Sequence, residues 1–163
     1  MIRHLFILVA LVAMLGATGC AYKPPQKTPK LADNSAVVSG SSEIVQKNIV
    51  RWLEDNGWSI DREEADRIQT GKFRIPITSD MADCGSYPMM DNWLKGVEGV
   101  GSTVSGDSWW QIAISPEGEE TKVESVLRFT DIRAAQAVGN EKPVNQICVS
   151  LGVREQELLE SLK

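Results

Sequence analysis

The sequence predicts an α+β fold: a two-layer sandwich in which an antiparallel four-stranded sheet carries an N-terminal and a C-terminal helix on one face. Three observations carry this expectation. Ile44, Val45, Ile49, Trp52 and Leu53 recur at helical spacing along one stripe. Four stretches of strand-like alternation follow: Trp58 and Ile60, residues 67–77, Trp110 with Ile112 and Ile114, and Val123 with Ser125, Leu127 and Phe129. A second helical stripe, Val153, Leu158, Leu159 and Leu162, comes last. Strands grouped between two helices, with no regular strand–helix alternation, favour an antiparallel sheet with the helices on one side.

Each element has a local reason. Ser41 or Ser42 is placed to cap the first helix, and Asn56-Gly57 ends it because glycine accepts a left-handed backbone. The first strand enters a polar turn over Asp61 to Asp66. In residues 67–77, Ile68 and Thr70 hold one phase while Phe73, Ile75 and Ile77 hold the other, so a bulge is predicted at Gly71. Residues 78–108 have no period and are predicted irregular, with Cys84-Gly85 near the start and a Gly/Ser-rich run at the end. Pro116-Glu117-Gly118 reads as the turn between the last two strands.

A chain of 163 residues with 42% hydrophobic and 24% charged side chains has the composition of a folding protein. After the N-terminal segments are set aside, residues 43–163 suit one domain. Arg3 and His4 precede eleven apolar residues, Leu5 to Leu15, a run too short to span a bilayer and suited to an export signal. Gly16, Ala17, Thr18 and Gly19 are all small and end on Cys20.

Ala17-Thr18-Gly19-Cys20, with Leu15 and Gly16 before it, resembles the lipobox of bacterial lipoproteins. The resemblance implies that residues 1–19 are a signal peptide and that the Cys20 thiol takes a diacylglyceryl group. A dedicated peptidase would then cut before Cys20, and the new amine would be acylated by a chain such as palmitate. Ala21 in place of Asp implies, by the family's sorting rule, the outer membrane with the body facing the periplasm. Three acyl chains at roughly 0.8 kcal/mol per buried CH2 make a durable anchor.

Residues 20–42 read as the lipidated cysteine and a flexible tether, because Pro24, Pro25 and Pro29 block helix and apolar residues are sparse. As a coil it would reach roughly 25 Å. Lys23, Lys27 and Lys30 against Asp33 leave the tether positive, whereas 13 basic and 21 acidic residues from Glu43 onward give a net charge of minus eight. An acidic body without a basic stripe argues against nucleic acid as a partner.

The helix running into Asn56-Gly57-Trp58-Ser59-Ile60, followed by a hairpin through Asp66 and Gly71, resembles the helix-and-sheet modules of the third lipoprotein of the outer-membrane β-barrel assembly machinery. The resemblance covers residues 43–77 and implies a partner-binding accessory without catalysis. No motif position matches one for one, so no functional residue carries over.

With Cys20 taken by lipid, Cys84 and Cys148 remain, an even pair that an oxidising compartment would join as a disulfide. Closing that loop would remove unfolded-state entropy worth about 4 kcal/mol. Two inert buried thiols are the alternative; a redox pair would want Cys-x-x-Cys spacing.

The sole histidine, His4, falls within the signal, so histidine-based nucleophile systems and His-ligated metals are not expected in the mature chain, and no cofactor is predicted. Gly101 and Gly106 have phosphate-loop spacing, but Asp107 stands where Lys is needed, which predicts a flexible loop. Asp61, Glu63, Glu64 and Asp66 lack the spacing of a calcium loop and read as a solvated turn. The positive signals are aromatic. If Trp110 points inward, its neighbour Trp109 points outward and offers an anchor for a protein partner. Met89, Met90 and Trp93, beside Leu94, form a second apolar cluster that either covers the core or joins the partner surface. The expected function is a non-catalytic accessory that binds an envelope protein. A lipid- or small-ligand-binding lipoprotein is the alternative if the long loop roofs a cavity, and a carboxylate-based hydrolase would need a cleft.

The anchor reading has a direct test. Cys20→Ala should abolish lipid labelling and release soluble or uncleaved protein on fractionation; a correctly trimmed, unlabelled chain that stays in the membrane would contradict it.

Overall fold

The structure, a computed structural model, describes residues 22–25, 34–88, 90–135 and 141–163. The first helix, α1, spans Ser42–Asp55 and buries Val45, Ile49 and Leu53. Asn56 ends it: both its side-chain amide and its backbone N–H donate to the Trp52 carbonyl oxygen, at 2.8 and 3.1 Å. Gly57 follows at φ +82°, the left-handed step that the Asn-Gly pair predicts.

The described residues form three helices and a large antiparallel sheet of seven strands, where four were expected. In chain order the strands of that sheet are β1 (Ser35–Ser39), β2 (Ile60–Glu64), β3 (Arg67–Thr70), β4 (Phe73–Pro76), β6 (Thr103–Glu117), β7 (Glu120–Ala135) and β8 (Lys142–Pro143). Between them β5 (Ala82–Asp83) pairs with β9 (Val149–Ser150) in a separate two-stranded ladder. The other helices are α2 (Trp93–Gly99) and α3 (Val153–Ser161). Across the sheet the order is β1-β7-β6-β3-β2, with β4 also on β6 and β8 on β7.

The extra strands have separate causes. β1 lies within residues 20–42, which composition assigned to the tether, and it is ordered by pairing with β7 from Ser35↔Glu124 to Ser39↔Glu120. The strand expected over 67–77 is split at its bulge. Gln69 faces Gln111 and Phe73 faces Ser108, so three residues oppose two around Gly71. β2 runs on to Glu64, which shrinks the expected polar turn to Ala65-Asp66. β8 is a two-residue edge that pairs with Arg133 and Ala134.

The largest departure is β6, which begins at Thr103 rather than near Trp110. The Gly/Ser-rich run was expected to be a flexible loop, and from Thr103 it is strand instead. Its inward positions are Val104, Gly106 and Ser108, all buried. A Cβ on Gly106 would sit 2.7 Å from Ile77 Cδ1 and 2.8 Å from Ile132 Cδ1, so packing leaves no room for a larger residue. Small residues that look like loop composition are here the floor under two isoleucines. The expected irregular stretch also contains α2, whose N-terminus is capped by Asn92 Oδ1 accepting from Leu94 N and Lys95 N.

β6 and β7 form one long hairpin closed by Gly118 at φ +69°. A second bulge interrupts it where Asp131 and Ile132 face Gly106 alone, and Asp131 takes φ +45°. Arg74 reaches both Asp107, at 2.8 Å, and Asp131, and Arg133 adds a second pair to Asp131 at 3.1 Å. The Arg133 guanidinium first, then Arg74, holds the Asp131 carboxyl below the usual carboxylate range.

One phase of the sheet is buried, through Ile68, Trp110, Ile112, Ile114, Val123 and Leu127. α1 meets that face through Trp52 against Trp110, and α3 meets it through Glu155 against Leu127. The α3 stripe differs from its expected form: Leu158 and Leu159 are buried, Val153 is exposed, and the remaining buried position is Glu155, 0% exposed. Its carboxylate accepts from Leu127 N at 2.9 Å and from Ser150 Oγ at 2.8 Å, tying α3 to β7 and β9. Glu155→Ala should strand two buried donors and lower stability by about 3 kcal/mol, whereas Glu155→Gln keeps an acceptor for Leu127 and should lose less than half of that. Urea unfolding of both variants checks the ordering.

Candidate functional site

An open pocket of about 340 Å³ lies between the end of α1, the start of α3 and the buried face of the sheet. α1 supplies Trp52 and Asn56, the following turn Trp58, β4 Phe73 and Ile75, and α3 Arg154. Trp110 of β6 and Leu127 of β7 form the floor, and Thr78 and Met81 close the side where the long loop leaves β4.

The wall is an aromatic lattice. Trp110 makes edge-to-face contacts with Trp52 at 5.9 Å and with Trp58 at 6.1 Å, and Trp58 makes another with Phe73 at 6.1 Å. Trp110 is 1% exposed, and its Nε1–H has no hydrogen-bond acceptor among the described residues. Phe73, at the other end of the chain of rings, is 57% exposed. The lattice thus runs from a sealed core ring to an open one. Arg154 at the margin is paired with Glu157 at 2.7 Å, so the lip carries a compensated charge. Beside Thr78, Asp80 has its carboxyl held below the usual range, chiefly by the Thr78 hydroxyl, with Arg154 contributing least.

The expected site residues divide. Cys84 and Cys148 are joined as a disulfide across 64 residues of sequence, next to the β5–β9 ladder. Trp110 points inward and Trp109 outward, as alternation requires, but Trp109 is only half-exposed and the Lys72 ammonium sits 4.9 Å from its ring centre. Trp93 packs on the core beside fully buried Leu94, while Met90 is exposed. Cys20 and Met89 lie outside the described residues. Among the described residues no cluster of His, Cys, Asp and Glu could hold a metal, and no helix is long and apolar enough to cross a membrane. Glu155 spends both carboxylate oxygens on Leu127 and Ser150.

The chain matches no known protein family, and no curated protein is significantly similar to it. What it can do therefore rests on its own geometry.

Sequence reasoning passed over Trp52, Trp58 and Phe73 because each fits a core stripe. Phe73 does hold the inward phase, yet the helical layer stops short of it, and only the three-dimensional arrangement reveals that. The adjacent tryptophans provide a check on orientation. Trp110→Ala should cost about 3 to 5 kcal/mol by opening a core cavity, while Trp109→Ala should cost well under half of that. Thermal melts of the two variants that coincide would show that both rings are core.

Proposed function

We propose that this chain is a lipoprotein held in the outer membrane by acyl chains on Cys20, facing the periplasm, and that it acts without catalysis as a partner-binding accessory of envelope assembly or maintenance. The anchor rests on residues 17–20, and the binding role rests on the aromatic pocket. In this reading the body is a two-layer sandwich whose helical layer ends before Phe73, leaving an apolar slot at the sheet's covered face. A large apolar side chain of a partner protein entering beside Phe73 would meet Trp58 and Ile75. Buried aromatic contacts of this kind dominate binding energy at protein interfaces. The exposed edge of the lattice at Phe73 is the single observation that carries the proposal. The resemblance of residues 43–77 to modules of the barrel-assembly lipoprotein agrees with it in kind.

A lipid- or small-ligand-binding role is the second reading, because a pocket of about 340 Å³ lies at the lower end of the range for small-molecule sites. One photocrosslinking experiment separates the two. A benzophenone side chain placed at residue 73 should form a protein adduct in intact envelopes, and Trp58→Ala should weaken that complex by about 2 kcal/mol, roughly thirtyfold. The same probe at residue 111, on the opposite face, should form none. Identical adducts from both positions would end the protein-partner reading, and a small molecule that co-purifies with the wild type but not with Trp58→Ala would favour the second.

A further inference from the structure

Residues Tyr22 to Pro25, which composition assigns to a free tether, lie against the body. Lys23 N–H donates to the Ser86 carbonyl and Ser86 N–H donates back to the Lys23 carbonyl, both at 2.9 Å. The Tyr22 phenol donates to the Cys84 carbonyl at 3.0 Å and accepts from Ile147 N–H at 3.4 Å. Its ring lies 5.6 Å from that of Tyr87, whose hydroxyl accepts from Gln146 Nε2 at 3.1 Å. The slot that receives this segment is built for it. Gly85 sits at φ +86°, and a Cβ there would collide with the Lys23 carbonyl and the Tyr22 ring. The Cys84–Cys148 disulfide joins the two sides of the slot, residues 84–87 and 146–147.

This placement matters because of where the lipid would be. Cys20 precedes Tyr22 by two residues, a reach of about 7 Å when extended, against roughly 25 Å for a free coil running to the sheet. Beside the slot two large apolar side chains are exposed: Ile147 at 63%, and Met90, which exchanges backbone hydrogen bonds with Tyr87, at 38%. Asp83 and Asp91 flank the segment, so attraction to anionic headgroups is not what would hold this face down. A two-residue link confines the patch next to the bilayer at high effective concentration, and tyrosines suit the boundary between apolar and wet surroundings.

We infer that the disulfide-braced slot clamps Tyr22 and Lys23 so that the body rests on the lipid surface through the face formed by Tyr22, Tyr87, Met90 and Ile147. The inference depends on lipidation at Cys20. The pocket at Phe73 belongs to other elements and plays no part in it.

The test is hydrogen exchange read by mass spectrometry on the full lipidated chain in phosphatidylcholine nanodiscs, beside unlipidated Cys20→Ala protein in buffer. Peptides covering 87–91 and 145–149 should exchange at least tenfold more slowly in the lipidated protein. The β6–β7 tip at Gly118–Glu119, at the opposite end of β6 from α2, should not change. Tyr22→Ala removes both phenol bonds and the ring contact without touching the core. It should restore fast exchange in both peptides while leaving the protein in the nanodisc and its β6 amides protected. Equal exchange in lipidated and unlipidated chains, with the acyl mass confirmed on Cys20, would overturn the resting face and leave the anchor standing. A mature chain with no acyl mass would overturn the anchor and this inference together.

Discussion

The antiparallel pairing of β6 with β7 supports the large sheet and the helices that pack on it. The two strands run together from Thr103↔Ala135 to Glu117↔Glu120, and every other strand of the large sheet except β2 pairs directly with one of them. Their inward side chains form the surface on which α1 and α3 settle. Such a ladder satisfies its own backbone groups, so one face can be given mainly to apolar contact, with Ser108, Thr121 and Ser125 buried among the apolar side chains. The bulge at Asp131 interrupts the register near the open end, and the arginines at 74 and 133 compensate the carboxylates gathered there. Exposed ion pairs of this kind add little stability.

The pocket follows from that surface being longer than the helices that cover it. α1 covers the sheet as far as Trp52, and α3 enters only at Val153, so the inward residues of β4, Phe73 and Ile75, line the pocket together with Trp58. Edge-to-face packing holds these rings in a lattice with few rotamers to lose, which in the proposed reading would prepare the site for an apolar side chain of a partner. At the base of this lattice the indole N–H of Trp110 has no acceptor among the described residues, and its ring meets those of Trp52 and Trp58 edge to face.

The loop region draws its order from cross-links of three strengths. The disulfide is covalent, the β5–β9 ladder is backbone pairing, and Glu155 is a buried hub that binds α3 to Leu127 and Ser150. The disulfide and the ladder tie residues 82–84 to residues 148–150, and Glu155 ties α3 to the same ladder. The docked Tyr22–Lys23 segment uses the rigidity they create.

The sequence by itself determined α1, the bulge at Gly71, the inward and outward facing of Trp110 and Trp109, and the Cys84–Cys148 pairing. Each depends on a local period, a local cap or simple arithmetic over two residues, so no distant neighbour was needed. The proposed export signal and lipid anchor rest on the sequence of residues 1–20 alone, which lie outside the described residues. The tertiary structure alone decided the rest. Ser35–Ser39 holds Ala36, Val37 and Val38 in a short run without alternation beside the proline-rich stretch, and it becomes a strand because β7 offers an edge to pair with. Gly106 looks like a loop residue until Ile77 and Ile132 are seen packed above it. Glu155 carries no sequence signal of burial, because one of the two donors that satisfy its carboxylate, the Leu127 N–H, lies 28 residues away on another element. Phe73 has the phase of a core residue, and whether a helix reaches far enough to cover it is a matter of lengths in space. Periodicity tells which way a side chain points; only packing tells what it meets there.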